Sequence, residues 1–407
     1  MYIIIIIKST KQKQNNKIYI IQINVQHHCP LLHLKTVVAT SIINMSSSSS
    51  SPSSSSFTFQ PSTIKLTKQD KINFYNDGFL IIKNCIDKTL TTNARRAINM
   101  NLFNAGQHLK FNNAVTGNGS PLLGNDGGGN GAWQKDLNTS PILLNLYEQC
   151  NPIVEQLTGN KTIGGRKFAQ IALRFPAEPH DNKPDNDWNI PDVQIPHNAW
   201  TPHLDGLYNG GSNGVKLGVV NTFTCLVGIS LTDQKSGLNG NLGVLKGSHK
   251  INELCFQEQL KLGGPLGPGG PNWPLKDNVS NGFIHYPPSL QKYYPKHEAK
   301  ASFNRQFDLN PKPTLVRLNE GDIVIAHFST LHAATRNLSS DVRYQLYFRP
   351  VCENAVKRRR TKNKDIMSKN LIDIWCDWDG MKEIVVDNYK EEEERRSNDD
   401  DVSSSKL

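Results

Sequence analysis

Two short segments of this chain carry side chains that together could hold a divalent metal ion. The first is His203-Leu204-Asp205, and the second is the run of residues 321–349, which supplies two further histidines. Residues i and i+2 of an extended strand project to the same face, so His203 and Asp205 would both face one cavity. A histidine from the second segment would complete two imidazoles and one carboxylate, a ligand set typical of non-haem Fe(II) oxygenases because it leaves open positions on the metal.

Two histidines of the second segment compete for the place of the third ligand. His327 and His332 are five positions apart, so on one continuous strand they would face opposite sides, and only one can reach the cavity. The apolar run at residues 323–326 predicts that His327 is a packed or hydrogen-bonded residue, whereas His332 would follow at the rim of the sheet. A lone histidine is more often structural than functional, but pairing with His203 and Asp205 favours His332.

Several stretches of the sequence resemble the phytanoyl-CoA dioxygenase family, a branch of the Fe(II)/2-oxoglutarate oxygenases. They are LTKQDKINFYNDGFLIIKNCI at residues 66–86, the surroundings of residues 203–206, GISLTDQKSGLNGNLGVLKGSHK at residues 228–250, and LHAATRNLSSDVR at residues 331–343. The motifs occur in the order expected for the family, and the likeness extends from about residue 66 to residue 350.

The resemblance implies a role for an arginine as well as for the metal ligands. In the family, the third metal ligand is a histidine followed eleven positions later by an arginine that binds the distal carboxylate of 2-oxoglutarate; here 343 − 332 = 11, which selects His332 and Arg343. A dicarboxylate needs such a planar donor at its far end. Asn337 also matches the family pattern, whereas Leu204 and Ala334 depart from it, and these departures bear on substrate identity more than on the iron chemistry.

The resemblance also implies a fold and an activity. The fold would be mainly β with flanking helices (α+β), built on a double-stranded β-helix of the jelly-roll, cupin-like kind. The activity would be that of a dioxygenase that uses Fe(II), 2-oxoglutarate and O2, with ascorbate as a reductant, and hydroxylates a small molecule such as a fatty acyl-CoA or related lipid while releasing succinate and CO2. The carboxylate of Asp205 favours hydroxylation over halogenation. The alternative is a non-catalytic metal-binding jelly-roll protein that acts as a binding or interaction module.

Hydrophobic periodicity and turn residues predict the elements that would position these side chains. Thr67 and Asp70 form a capping-box pattern at the start of the first helix. Helices are predicted near residues 67–76, 90–103 and 141–157, and strands at residues 79–82, 168–175, 215–231 (two strands), 242–245, 314–318, 322–328 and 343–349. Gly247-Ser248-His249 is interpreted as a structural turn after a strand.

The ends of the chain differ in composition from its middle. The first 69 residues contain no Asp or Glu and include a serine-rich run, so residues 1–61 are predicted to be a disordered low-complexity leader, and Met45 is a second candidate start. Residues 62–350 would form the jelly-roll domain, residues 351–390 a helical extension, and residues 391–407 a disordered acidic tail. No apolar stretch is long enough to predict a membrane span or a secretory signal.

Charge, cysteines and the last three residues suggest a compartment and partners. The seven cysteines are scattered, which fits a reducing interior. The net charge of +10 includes the basic stretch at residues 357–364, which we interpret as solvated and not as a nucleic-acid site. The terminal Ser405-Lys406-Leu407 matches the signal read by the peroxisomal import receptor, so we expect a peroxisomal location, with a cytoplasmic one as the alternative.

Overall fold

The computed structural model describes most of the predicted domain and parts of both ends. The described residues are 2–7, 19–24, 63–106, 136–164, 168–176, 204–206, 223–237, 239–263, 266–267, 270–271, 314–335, 337–361, 363 and 368–388. The chain divides into two compact units, Met1–Phe57 and Thr58–Leu407.

The first unit contains one pair of antiparallel strands. Strands β1 (Tyr2–Ile7) and β2 (Tyr19–Asn24) pair with Tyr2 opposite Asn24 and Ile7 opposite Tyr19. The isoleucine-rich sequence suits this pairing, since β-branched side chains favour extended, paired backbone. The predicted disorder of residues 1–61 stays a prediction. The remainder of that leader lies outside the described residues.

The largest sheet of the second unit has five antiparallel strands in the order β3-β9-β6-β11-β5. Its central strands β6 and β9 are buried along their whole length, which their continuous apolar sequences predict. The strands are β3 (Phe79–Ile82), β5 (Gln170–Arg174), β6 (Cys225–Ser230), β9 (Ile323–His327) and β11 (Arg343–Phe348).

Two smaller antiparallel sheets accompany the five-stranded sheet. One has the order β10-β7-β8, and the other pairs β12 with β4. Their strands are β4 (Thr162–Gly164), β7 (Leu242–Val244), β8 (Thr314–Leu315), β10 (His332–Ala334) and β12 (Val351–Cys352). Antiparallel sheets with helices are what the sequence predicted, but no sheet closes on itself among the described residues, so the double-stranded β-helix stays a prediction.

Helices pack around these sheets. The capping box predicted at Thr67 and Asp70 is confirmed, because each residue bonds to the backbone N–H of the other. The helices are α1 (Lys68–Asp77), α2 (Lys88–Gly106), α3 (Pro141–Thr158), α4 (Ser248–Lys261) and α5 (Glu353–Arg360), with short 3-10 helices at Leu137–Thr139 and Asp379–Met381. None of the helices in the described part of the chain is long and apolar enough to cross a membrane.

Helix α4 corrects one sequence interpretation. Gly247 forms the predicted turn in the left-handed region, with φ of 72°, but a helix begins at Ser248 directly after it. The helix was missed because its apolar periodicity is weak and its cap lacks the side-chain hydrogen bond of the usual motif. Of the two strands predicted at residues 215–231, the second is β6, and residues 215–222 lie outside the described residues.

The C-terminal extension is partly helical and packs on the core. Besides α5 it contains a short helix at Lys369–Ile372 and helical residues 382–388. The interpretation of residues 357–364 as solvated is wrong at Arg358, which is buried and ion-paired with buried Asp377. The cause is that α5 turns one face toward the core, which brings Arg358 inward while Lys357 and Arg360 stay exposed.

Candidate metal centre

Two of the three predicted metal ligands lie together. His332 Nε2 is 3.6 Å from Asp205 Oδ2, although the two residues are separated by more than one hundred positions in the sequence. Both side chains are largely buried, with relative exposures of 7% and 14%. His203, the third predicted ligand, lies outside the described residues, and within those residues no cluster of three metal-binding side chains is found.

The orientation of His332 suits a metal ligand. His332 is the first residue of β10, and its Nδ1 donates a hydrogen bond of 2.9 Å to the carbonyl oxygen of Thr330. Since a carbonyl can only accept, the ring proton is fixed on Nδ1, and the lone pair of neutral His332 lies on Nε2, the atom that faces Asp205. A backbone carbonyl behind the ring is the usual support of a metal-binding histidine.

Helix α4 holds the turn that precedes His332. The Ser248 hydroxyl accepts a 2.8 Å hydrogen bond from the backbone N–H of Leu331, and the Asn252 amide donates one of 2.6 Å to the carbonyl of Ser329. The backbone N–H of Leu245 donates to the carbonyl of Leu331. Ser248, which the sequence analysis assigned only to a turn, therefore helps to position His332.

His327 does not take part in this site, as the sequence predicted. Its Nε2 donates to the carbonyl of Ile374 (3.1 Å), and its Nδ1 accepts from the backbone N–H of Ser329 (3.1 Å), so both ring nitrogens are engaged. The ring stacks on Trp378 with centroids 5.0 Å apart, and burial lowers the pKa of His327 to about 3. His327 and His332 are separated by more than strand alternation, since the turn between them carries the chain from the five-stranded to the three-stranded sheet.

Arg343 is buried and incompletely paired. It opens β11, is 2% exposed, and lies opposite Arg174 in the register of β5 and β11. Its Nη1 and Nη2 donate to the carbonyl oxygens of Gly240 (2.6 Å) and Ala172 (3.3 Å), whereas Nε has no hydrogen-bond partner. Burial, reinforced by the charge of Arg174, lowers the pKa of Arg343 to about 10, so the guanidinium is charged at neutral pH without a described carboxylate to pair with it.

Two more polar side chains lie on the same face of β11 as Arg343. Gln345 and Tyr347 follow Arg343 at alternate positions, so the three side chains project to one side of the sheet. The Gln345 Oε1 accepts a 3.0 Å hydrogen bond from Gln234 Nε2, whereas its Nε2 is buried without a hydrogen-bond partner. The Tyr347 hydroxyl is buried, and the charge of Arg343 offsets part of the rise in the pKa of Tyr347 that burial causes. Gly228 on β6 packs closely against both, since a Cβ there would lie 2.7 Å from Gln345 Nε2. Buried, unpaired donors are rare, so the unpaired Nε of Arg343 and Nε2 of Gln345 support a place for a polar ligand.

Arg349 was missed by the sequence analysis and contacts a predicted ligand directly. Its Nε and Nη2 lie 2.9 and 2.7 Å from Asp205 Oδ2, and its Nη1 donates a 2.7 Å hydrogen bond to Gln170 on β5. The signal available in the sequence was the alternation of Arg343, Gln345, Tyr347 and Arg349 along one strand. That alternation predicts a shared face but cannot reveal that Asp205 reaches it.

Asn337, which matched the family pattern, has a structural role. Its amide nitrogen donates to the carbonyl oxygens of Arg174 (2.8 Å) and Asp341 (2.6 Å), and its amide oxygen accepts from Ser339. These bonds tie the turn before β11 to the end of β5. The turn thereby fixes where β11 begins, and with it the position of Arg343.

The residues present fit a metal ion and a dicarboxylate. The Nε2 of His332 and the carboxylate of Asp205 lie next to each other, while the Nδ1 of His332 is bonded to the Thr330 carbonyl. Imidazole and carboxylate are both ligand types that iron accepts. A buried, charged arginine with an unpaired donor supplies the complementary group for a carboxylate. The His332–Asp205 pair therefore offers donors suited to a metal ion, and Arg343 offers a donor suited to a carboxylate.

Comparisons with known proteins find similarity at a low level. No protein-family model matches this chain, and no curated protein matches it. Among solved structures, the non-haem α-ketoglutarate-dependent carbocyclase SnoK from nogalamycin biosynthesis is 16% identical with a TM-score of 0.37, over 72% of this chain and 91% of that chain. HygX from Streptomyces hygroscopicus, with nickel and 2-oxoglutarate bound, is 14% identical with a TM-score of 0.32, over 70% and 86% of the two chains. AviO1 from Streptomyces viridochromogenes Tue57 is 14% identical with a TM-score of 0.35, over 72% and 97%. Scores this low establish neither a family nor an activity.

Proposed function

We propose that this protein is an Fe(II)- and 2-oxoglutarate-dependent dioxygenase that hydroxylates a small molecule and releases succinate and CO2. The observation that carries the proposal is the meeting of Asp205 with His332, 3.6 Å apart, and the buried Arg343 with its unpaired Nε supports it. Asp205 and His332 are far apart in the sequence, so it is the fold that brings them together.

The metal would be held by His332, Asp205 and the predicted third ligand His203. Iron, when bound, supplies the redox chemistry that couples 2-oxoglutarate decarboxylation by O2 to hydroxylation, and ascorbate would keep it reduced. The protein holds the donors in place. The Thr330 carbonyl accepts a hydrogen bond from Nδ1 of His332, which leaves Nε2 as the nitrogen directed at the metal position.

Arg343 would bind the far carboxylate of 2-oxoglutarate. Removing a guanidinium from water is costly unless a counter-charge replaces the lost solvation. Two neutral carbonyls accept hydrogen bonds from Arg343, and Tyr347 lies beside it, so a bound carboxylate would supply the counter-charge. Gln345 and Tyr347, on the same face of β11, offer further hydrogen bonds to the bound molecule.

Finer assignments depend on the sequence and belong to the same proposal. We infer membership of the phytanoyl-CoA dioxygenase family and a double-stranded β-helix from the motifs at residues 66–86, 203–206, 228–250 and 331–343. The carboxylate at Asp205 supports hydroxylation over halogenation. A fatty acyl-CoA or related lipid substrate and a peroxisomal location follow from the resemblance and from the terminal Ser-Lys-Leu alone.

The test is succinate formation by the full-length protein. Purified protein would be incubated with Fe(II), ascorbate and 2-oxoglutarate, alone and with acyl-CoA candidates, and succinate would be quantified. We expect succinate from the unaltered protein and its loss in Asp205→Ala and Arg343→Ala, with retention in Arg317→Ala, which alters an exposed arginine. Iron binding without succinate under any of these conditions would instead support the non-catalytic metal-binding alternative.

A further inference from the structure

We propose that Arg349 is a positioning residue, which holds the Asp205 carboxylate in the orientation that metal binding needs. The inference deepens the proposed function and depends on it. It assigns different roles to two nearby arginines: Arg343, which opens β11, would bind the cosubstrate, and Arg349, which follows β11, would orient a metal ligand.

The contacts of Arg349 form a continuous chain of support. Two of its nitrogens meet the same oxygen of Asp205, at 2.9 and 2.7 Å, and the third donates to Gln170 at 2.7 Å. The guanidinium carbon also lies 5.7 Å from the centroid of the Phe223 ring. A planar guanidinium that is in contact on three sides has little freedom to rotate, so its hydrogen bonds hold the Asp205 carboxylate in one orientation.

The backbone around Asp205 differs from that around Arg349. Residues 205 and 206 form a turn, and Gly206 has φ of 87°, so no described strand ladder orients the Asp205 side chain. Arg349, in contrast, directly follows β11, which is hydrogen-bonded to β5 on one side and to β6 on the other. The ion pair therefore ties a ligand on a turn to a rigid strand, and outer supports of this kind commonly change metal affinity by roughly 10–100-fold when removed.

A second effect of Arg349 acts in the opposite direction. A positive charge close to a bound cation repels it, so loss of the charge alone would tighten metal binding. The two effects predict different results for two substitutions. If positioning dominates, as we propose, both Arg349→Lys and Arg349→Gln weaken binding; if repulsion dominates, Arg349→Gln tightens binding and Arg349→Lys leaves it unchanged.

The test is Co(II) affinity of the full-length apo-protein, measured by titration calorimetry together with the visible absorption of the bound metal. We expect roughly 10–100-fold weaker binding in Arg349→Lys and Arg349→Gln, and a smaller loss in Gln170→Ala, which removes only the outer support. Arg317→Lys, at an exposed position, is the matched control and should bind as the unaltered protein does. Melting temperatures would establish that each variant is folded, and Gln170→Ala carries the test if the Arg349 variants are not.

The outcomes distinguish this inference from the proposed function. Absence of Co(II) binding and of succinate formation in the unaltered protein would refute both. Tight Co(II) binding and succinate formation in the unaltered protein, combined with undiminished affinity in both Arg349 variants, would refute the positioning role and leave the proposed function intact. The same holds if the Arg349 variants do not fold and Gln170→Ala binds Co(II) as tightly as the unaltered protein.

Discussion

Replacement of Arg343 by methionine should separate cosubstrate binding from metal binding. Methionine retains an apolar stem but has no guanidinium to donate hydrogen bonds. A hydrogen bond to a charged group contributes about 1.5–3 kcal/mol, and a forked contact to a carboxylate makes two of them. At about 1.4 kcal/mol for each factor of ten, the dissociation constant for 2-oxoglutarate should rise by at least about 100-fold.

The assay is thermal unfolding under nitrogen with Mn(II), which occupies the metal site without turnover. A ligand at about 100 times its dissociation constant stabilises the folded state by about 2.7 kcal/mol, and a 100-fold weaker ligand at the same concentration by only about 0.4 kcal/mol. The increase in melting temperature caused by 2-oxoglutarate should therefore nearly vanish in Arg343→Met. The increase caused by Mn(II) alone should persist, because Arg343 has no described contact with Asp205 or His332.

Two results would refute this reasoning. If 2-oxoglutarate raises the melting temperature of Arg343→Met as much as that of the unaltered protein, Arg343 does not bind the cosubstrate. If the Mn(II) effect is lost along with the 2-oxoglutarate effect, Arg343 serves the structure of the whole site and not one end of a ligand. Arg317→Met, an exposed control, should retain both effects.

Three further predictions concern stability. Burial lowers the pKa of His327 to about 3, so between about pH 6.5 and pH 3 the unfolded chain binds a proton at this residue that the folded protein does not. The free energy of unfolding should therefore fall by up to about 1.4 kcal/mol per pH unit as the pH decreases through this range. His327→Gln should reduce that slope, measured by urea titrations at several pH values. Removing Arg358 leaves Asp377 buried without its ion-pair partner, so Arg358→Ala should cost about 3–5 kcal/mol in the same measurement, whereas exposed Arg360→Ala should cost little. Loss of the helix cap in Thr67→Ala should cost about 1 kcal/mol.

Each of these predictions has a result that contradicts it. An unchanged pH slope in His327→Gln would mean that other groups, such as buried His249, whose pKa is also lowered by burial, account for the acid sensitivity. Equal losses in Arg358→Ala and Arg360→Ala would mean that the ion pair contributes no more than a surface charge. A Thr67→Ala protein as stable as the parent would show that packing alone holds α1.

Local sequence signals predicted the elements well where a few adjacent residues determine them. The capping box at Thr67, the apolar run of β9 and the start of α3 at Pro141 are such cases, and all three are present. The spacing that selected His332 and Arg343 covers a turn and two strands that are close in the chain, and the roles of both residues stay predictions. Composition alone does not indicate strands such as β1 and β2, whose pairing joins residues up to 22 positions apart.

The site was predicted only in part because its remaining contacts are non-local. Arg349 meets Asp205 across 144 positions, and no pattern in either segment encodes that pairing. Gln345 resembles an ordinary strand residue in the sequence, and only the structure shows that its Nε2 is buried without a hydrogen-bond partner. Arg358 was read as a surface charge since a basic run gives no sign that one of its members faces an acidic partner further along the chain.

The docking of the C-terminal extension has a practical consequence for handling the protein. Ile374 accepts a hydrogen bond from His327 and donates one to Glu253 of α4, the helix that also secures the turn before His332. Ending the chain before residue 368 to obtain a shorter expression product would thus remove a hydrogen-bond partner of both His327 and Glu253, which lie on the two segments that flank that turn. If a shortened protein failed to bind metal, the loss of these C-terminal contacts would be the cause, and its assay would underestimate the activity of the full-length protein.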